Sequence, residues 1–263
     1  MRMTSIVLAV LLVCGGASMC DSVLAADLEK DVTAAIDMLS KTAETQTARV
    51  LEATELIQRH PNKQALAALI PYLDDPEPTR RRSAVYFLQF LSWDDASPAF
   101  PALRKLLTHS EAMTRGMSGM ALASLVDDKS FDALVKMLKD DDDPYARRCA
   151  AWALGELKNQ KATEHLKIAL NDSNALVKSN THNAIERLNF RQEFQDVTGP
   201  AKSVYEGVWL ISGSNVFMKT RLNRAVGMIR SVDESVRGPI LENLKSSRLA
   251  AVKNSATFAL SQL

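Results

Sequence analysis

The chain has 263 residues, 46% of them apolar, with 10 glycines, 9 prolines and a formal net charge of +1. This composition supports a sizeable core and excludes a disordered or collagen-like chain. A charge so near zero gives no bulk attraction for nucleic acid or an anionic membrane surface, so nucleic-acid binding is set aside.

Residues 1–25 read as a secretory signal peptide. Arg2 supplies the positive start, Ile6 to Val13 the apolar run, and Val23-Leu24-Ala25 a small-residue cleavage site before Ala26. The run is shorter than the ~20 apolar residues that span a bilayer, and charges interrupt every later helix, so no integral membrane segment is expected. The expected location is periplasmic or secreted. The alternative is a lipoprotein anchored through Cys20, although Met19 and Ala17 stand where such signals carry a small and a leucine-like residue. Loss of the signal leaves Cys149 as the one cysteine, so an intramolecular disulfide is excluded.

Residues 26–46 predict an N-terminal capping helix, with Leu28, Val32, Ile36 and Leu39 on one face. From 47 to 190 one pattern recurs. Its clearest copy runs from Asp143-Pro144 to Leu157 and places Ala150, Ala153, Leu154 and Leu157 at i, i+3, i+4 and i+7, one face of a helix. The same positions hold Ala84, Phe87, Leu88 and Leu91; Ser118, Ala121, Leu122 and Leu125; and Thr181, Ala184, Ile185 and Leu188. A cation stands three residues before each first core position, at Arg81, Arg115, Arg147 and Lys178. Between copies lies a second amphipathic segment, marked by Leu66, Leu69, Ile70 and Leu73, then Leu103, Leu106 and Leu107, then Leu134 and Leu138, then Leu166 and Leu170. Each unit is therefore a helical hairpin, and a spacing of a little over 30 residues signals a solenoid.

Residues 191–215 depart from the pattern, and Gly199-Pro200 and Ser212-Gly213-Ser214 suggest an irregular or lengthened insertion. From 216 to 263 it resumes. A weak copy surrounds Lys219, with Leu222, Ala225, Val226 and Ile229, and a clear one holds Ala256, Ala259, Leu260 and Leu263 behind Lys253. Breaks are predicted at Asp75-Pro76-Glu77-Pro78, Ser97-Pro98, Asp143-Pro144 and Gly238-Pro239. The expected fold class is all-α, an α-α superhelix of about six to seven helical hairpins.

These copies, above all Asp143-Pro144 through Leu157, resemble the HEAT-repeat family, and in particular short bacterial repeats similar to those of phycobilisome-lyase-like proteins. The resemblance implies the solenoid fold and a general role as an interaction surface. It also implies that Asp75 and Arg81, Asp141 and Arg147, and Asp172 and Lys178 belong to a structural aspartate–cation ladder between stacked turns. HEAT-like hydroxylases hold a di-iron centre through repeated His-Glu dipeptides, and this chain contains none; no catalytic residue, metal site or cofactor is assigned. Motifs for phosphate loops, serine nucleophiles and zinc proteases are absent too.

Two surfaces remain as candidates. Two residues after the first core position a side chain points ~200° away from the core face, and this chain places Tyr86, Met120, Trp152 and Phe258 there, with Phe90 one turn after Tyr86. Large apolar residues in that row predict a ridge that docks a protein partner, with coverage by lateral neighbours or by a homodimer as the alternative. The second surface is a basic inner face of Arg104, Lys105, Lys136, Lys139 and Lys167, suited to an acidic peptide or glycan. The function expected is that of an exported scaffold or adaptor without catalysis; the alternative is a HEAT-like enzyme with dispersed catalytic residues. Cys149 is read either as a buried packing residue or as a thiol activated by Arg147 and Arg148.

Overall fold

A computed structural model describes residues 17–41, 47–91, 93–212 and 219–263, and the regular elements among them are α-helices with a few 3-10 turns and no strand. The apolar run of the signal segment lies outside the described residues, as do Gly213 and Ser214. So do the side chains of Cys20, Lys219 and Leu222. The chain divides into two compact units, one of Met1–Phe87 and Ser92–Ala99 and one of Leu88–Leu91 and Phe100–Leu263.

In the first unit, α1 (Ala17–Ser40) runs through the expected cleavage site. Its residues 24–27 are exposed, whereas Val32, Ala35 and Ile36 are buried. Packing thus begins beyond Ala26. The apolar face lies on the hairpin of α2 (Thr47–Gln58) and α3 (Asn62–Leu69), the latter extended by a 3-10 turn, Ile70–Asp74. Three polar links fasten α1: Thr33 Oγ1 to Tyr72 OH at 2.7 Å, Asp31 to His60 Nε2 at 3.0 Å, and Asp37 to Arg80 Nε at 3.1 Å. Arg80 lies in the first turn of α4 (Pro78–Phe90), whose Ala84, Val85 and Phe87 are fully buried.

The second unit starts with regular hairpins. The first helices are α5 (Phe100–Leu106), α7 (Phe131–Asp140) and α9 (Ala162–Ala169); each is followed by a longer helix, α6 (Ala112–Ser124), α8 (Pro144–Glu156) and α10 (Ala175–Glu193). The longer helices stack in order, α8 lying against both α6 and α10. The first core positions Ser118, Ala150 and Thr181 are all fully buried, as the spacing predicts. Small residues there let the helices approach, and glycine carries the approach further: a Cβ at Gly155 would stand 2.7 Å from Ala184 Cβ.

Val126 and Lys158 follow α6 and α8 with φ of +61° in both cases, so the left-handed turn that closes one hairpin is repeated in the next. Glycine usually fills that position; a β-branched valine there is strained by about 1 kcal/mol or more.

Residues 191–215 are more regular than expected. Most of them form α11 (Gly199–Ser212), entered through Gly199 at φ +66°. Val204, Val208 and Ile211 make its buried stripe, and Gly207 lets Ile229 and the Ala225 carbonyl come close. Three further helices complete the unit: α12 (Lys219–Arg230), α13 (Glu234–Leu244) and α14 (Ala250–Ser261). With α11 they enclose a second core of Val208, Trp209, Ile229, Leu241, Val252 and Ala256.

The break predicted at Gly238-Pro239 falls earlier. Pro239 lies inside α13, and the helix starts at Asp233, whose carboxylate accepts the Ser235 N–H at 2.9 Å. A good N-cap five residues upstream outweighs the single bond that proline removes. Leu263, expected in the core, is exposed at the end of the last copy.

Candidate functional site

The repeat turns of the second unit are joined by arginines. Arg115 Nε and Nη2 donate to the two oxygens of Asp141, each at 2.7 Å, while its Nη1 donates to the carbonyls of His109 and Ser110. One repeat later Arg147 does the same, reaching Asp172 at 2.8 and 3.0 Å and the carbonyls of Asp141 and Asp142. The ladder is therefore offset by one rung. Arg147 takes the main-chain oxygen of Asp141 and leaves that carboxylate to the preceding arginine. In the first unit Arg81 Nη1 likewise donates to the Asp75 carbonyl at 2.7 Å. A planar fork matches a carboxylate in this way, whereas lysine does not; the ladder's arginines give way to Lys178, which is exposed.

The electrostatics follow the geometry. The hydrogen bonds of Arg147 hold the Asp172 carboxyl below its usual range. Burial works against ionisation of Asp141, yet the bonds from Arg115 and from the Asp143 N–H outweigh it and hold its pKa below 3.8. Because both folded-state values are depressed, their stabilisation is present above the unfolded-state pKa and is lost as pH falls through the lower folded values, on the acid side of about pH 4. We expect Asp141→Asn to cost about 2 kcal/mol at pH 7. It should also flatten the decline of melting temperature between pH 4 and pH 2.5, followed by circular dichroism; an unchanged slope would remove Asp141 from the acid transition.

The residues of the expected apolar ridge are half-buried rather than exposed. Met120 and Trp152 lie in α6 and α8, Phe90 ends α4, and Phe258 packs against the C-terminal core. Tyr86 belongs to the first unit and sets its ring edge-on to Phe87, centroids 6.1 Å apart.

A second row, not expected from the spacing, is more open: Met113, Tyr145 and Leu176 occupy equivalent positions near the starts of α6, α8 and α10. Met113 is 40% and Leu176 56% exposed. Met113, Met117 and Met120 also lie at i, i+4 and i+7, a methionine stripe along α6. Together with Tyr145 and Trp152 on the adjoining α8, they form an apolar face. Gly116 marks where the two helices meet, since a Cβ there would be 2.8 Å from the Tyr145 ring and 2.9 Å from Cys149 Sγ.

Cys149 is buried, and burial raises its thiol pKa to about 11. Burial likewise pushes the Tyr145 hydroxyl up to about 12. Arg148 sits over the Tyr145 ring at 4.7 Å, but its charge does not offset the burial of the thiol. The activated-thiol reading therefore gives way to the packing one, as a thiolate is the reactive species.

On the first-helix layer, Lys105, Lys136, Lys139 and Lys167 are exposed. Lys167 bonds Glu164 in its own helix at 2.8 Å. Arg104 is committed elsewhere: its Nε donates to Asp127 Oδ2 at 2.7 Å and its Nη2 to Oδ1. Among the described residues no three His, Cys, Asp or Glu side chains come together as metal ligands, and no helix is long and apolar enough to cross a membrane.

A further cluster surrounds Trp209 of α11. Lys158 Nζ and the Arg187 guanidinium each lie 4.5 Å from its ring centroid, and Arg191 lies 5.8 Å away. Arg187 is 2% exposed and pairs with buried Glu156 at 2.8 Å.

The family profile described as HEAT repeats matches residues 100–186, the span from α5 into α10. Over that span the chain is similar to HEAT repeats. The arginine ladder from Arg115 to Asp172 lies within the matched span, whereas Trp209 lies beyond it. No curated protein matches the chain. Among solved structures, a designed armadillo repeat protein in complex with the peptide (KR)4 is 20% identical, covering 88% of this chain and 98% of its own, with a TM-score of 0.40. Human deoxyhypusine hydroxylase in complex with glycerol is 15% identical over 89% of this chain and 96% of its own, with a TM-score of 0.39.

Proposed function

We propose that the chain is an exported scaffold whose HEAT repeats hold a protein partner in the periplasm or cell envelope, with no chemistry of its own. The reading is carried by one observation, the apolar face over α6, α8 and α10. Five side chains, Met113, Met117, Met120, Tyr145 and Trp152, stand on it with Leu176, and Met113 and Leu176 are open to solvent. Exposed apolar surface of this kind is uncommon on a soluble chain, and methionine and aromatic side chains are favoured where partners dock. Methionines adapt their shape to what they meet, so a stripe of them suits a protein surface better than a small rigid ligand. Tyr86, Phe90 and Phe258 are further, separate candidates for partner contact, and the lysines Lys105, Lys136, Lys139 and Lys167 supply a second, weaker surface for acidic segments.

The test is an in-cell crosslink from a photoreactive residue at position 113, with mass spectrometry of the captured species, beside the variant Met113→Glu plus Trp152→Glu. The expected result is one abundant foreign protein in the exported fraction, lost in the double variant while the helical signal persists. Crosslinks only to the chain itself would overturn the scaffold reading in favour of a homodimer covering this face.

A further inference from the structure

The apolar face over α6, α8 and α10 is set in a stretch of helix whose formal charges have one sign. From their starts to Ser124, Leu154 and Ile185 these helices contain Arg115, Arg147, Arg148 and Lys178 and no aspartate or glutamate. Arg115 is matched by Asp141 and Arg147 by Asp172, both on the turns. Arg148 lies 4.7 Å from the Tyr145 ring centroid, and no described carboxylate forms an ion pair with it. Its other contacts are with the Tyr145 hydroxyl and the Cys149 thiol, which burial keeps neutral, so neither supplies a counter-charge.

Arg148 stands on the face itself. Three residues after Tyr145 and four before Trp152, it is about 60° round α8 from the first and about 40° from the second, and it is half-buried. The equivalent positions on the neighbouring helices hold Gly116 and Ser179, which put no second charge beside it. The row also limits the form of what can lie across it. Met113, Tyr145 and Leu176 repeat with the stacked helices, whose axes stand about 8–10 Å apart. An α-helix returns the same face every seven residues, about 10.5 Å. In a strand the same face recurs every ~6.7 Å, and a step of three residues, ~10 Å, turns the side chain to the opposite face.

We infer that the partner segment held by this face is an amphipathic α-helix laid across α6, α8 and α10, its apolar stripe on Met113, Tyr145 and Leu176 and an acidic residue paired with Arg148. The inference rests on the scaffold reading above and adds the chemistry of the occupant. The apolar stripe supplies the contact area, to which the methionines adapt. The carboxylate fixes the register, because a guanidinium fork takes both of its oxygens in one geometry. The same arginine rejects a segment that is basic at that point.

The experiment selects displayed peptides of random sequence, about 16 residues and ~24 Å long as a helix, on the purified full chain and in parallel on Arg148→Glu and Met113→Glu. Peptides enriched on the parent should carry apolar residues at helical spacing with an aspartate or glutamate among them, and those enriched on Arg148→Glu a lysine or arginine in its place. The tightest parent-selected peptide should bind Arg148→Glu at least ten-fold more weakly, and exchange of its acidic residue for lysine should restore the affinity. Should Arg148→Glu lose its helical signal, Arg148→Gln serves instead, and the preference for the acidic peptide over its lysine form should vanish. Peptides that need Met113 but show the same charge preference on the parent and the Arg148 variant overturn this inference and leave the scaffold reading standing, as do peptides with alternating rather than helical spacing. Enrichment that Met113→Glu leaves intact overturns both. No enrichment on the parent overturns the inference alone, and the crosslink at position 113 then decides the scaffold reading.

Discussion

Glu156→Gln should be among the most damaging conservative substitutions in the chain, at about 3–5 kcal/mol. The carboxylate lies 2.8 Å from Arg187 Nη2, and both side chains are almost wholly buried, at 6% and 3% exposure. Glutamine keeps the shape but removes the charge, leaving a guanidinium enclosed beside Lys158 and Arg191 at the same indole. For a chain of this size the loss corresponds to a fall of ~10 °C in melting temperature. Repeat arrays unfold by neighbouring units, so amide exchange should accelerate first in α10 and α11, where Arg187 and Trp209 reside. A double variant, Glu156→Gln with Arg187→Met, should recover much of the loss, because an apolar pair of similar volume needs no counter-charge. A melting temperature unchanged by the single substitution would mean that the pair carries no net stabilisation.

The helical hairpins were readable because burial and spacing coincide. Ala84, Ser118, Ala150 and Thr181 are small, fully buried and one repeat apart. The arginine three residues earlier was equally legible, but its pairing was not. Spacing along the chain ties Arg147 to Asp141, whereas stacking brings Asp172, 25 residues away, within 2.8 Å of its Nε. Register between units is a property of packing and leaves no local mark.

The open apolar row was missed because Met113, Tyr145 and Leu176 share a position without sharing a residue type. The row two residues after each core position looked more distinctive in sequence yet is half-covered in space. Trp209 was hidden for a different reason. Its helix breaks the repeat, so the stripe of Val204, Val208 and Ile211 was outweighed by Gly199-Pro200, although Arg187 and Arg191 one turn apart on α10 already pointed a pair of cations in one direction.

Gly155→Ala provides the sharpest test of how closely the repeats stack. In an exposed helix interior that change is stabilising by up to about 1 kcal/mol, since alanine loses less backbone freedom on folding. At Gly155 the new Cβ would lie 2.7 Å from Ala184 Cβ, 2.9 Å from Ala184 Cα and 3.4 Å from its carbonyl oxygen. Two of those three atoms are backbone and cannot swing aside, so α8 and α10 must separate along their crossing. Overpacking of this kind costs typically 1–3 kcal/mol and here exceeds the propensity gain, giving a net loss of about 2 kcal/mol. Gly227 on α12 offers the matched control, because a Cβ there meets nothing within 4 Å. Gly227→Ala should therefore stabilise while Gly155→Ala destabilises, the same atom added with opposite sign in urea unfolding. Separation of α8 from α10 would also draw Glu156, next after Gly155, away from Arg187, one turn after Ala184, so the Gly155 variant should lose part of the ion pair as well as the packing. Equal and stabilising effects at both glycines would mean that the helices do not cross this closely, and that the stacking of the HEAT repeats leaves room the geometry denies.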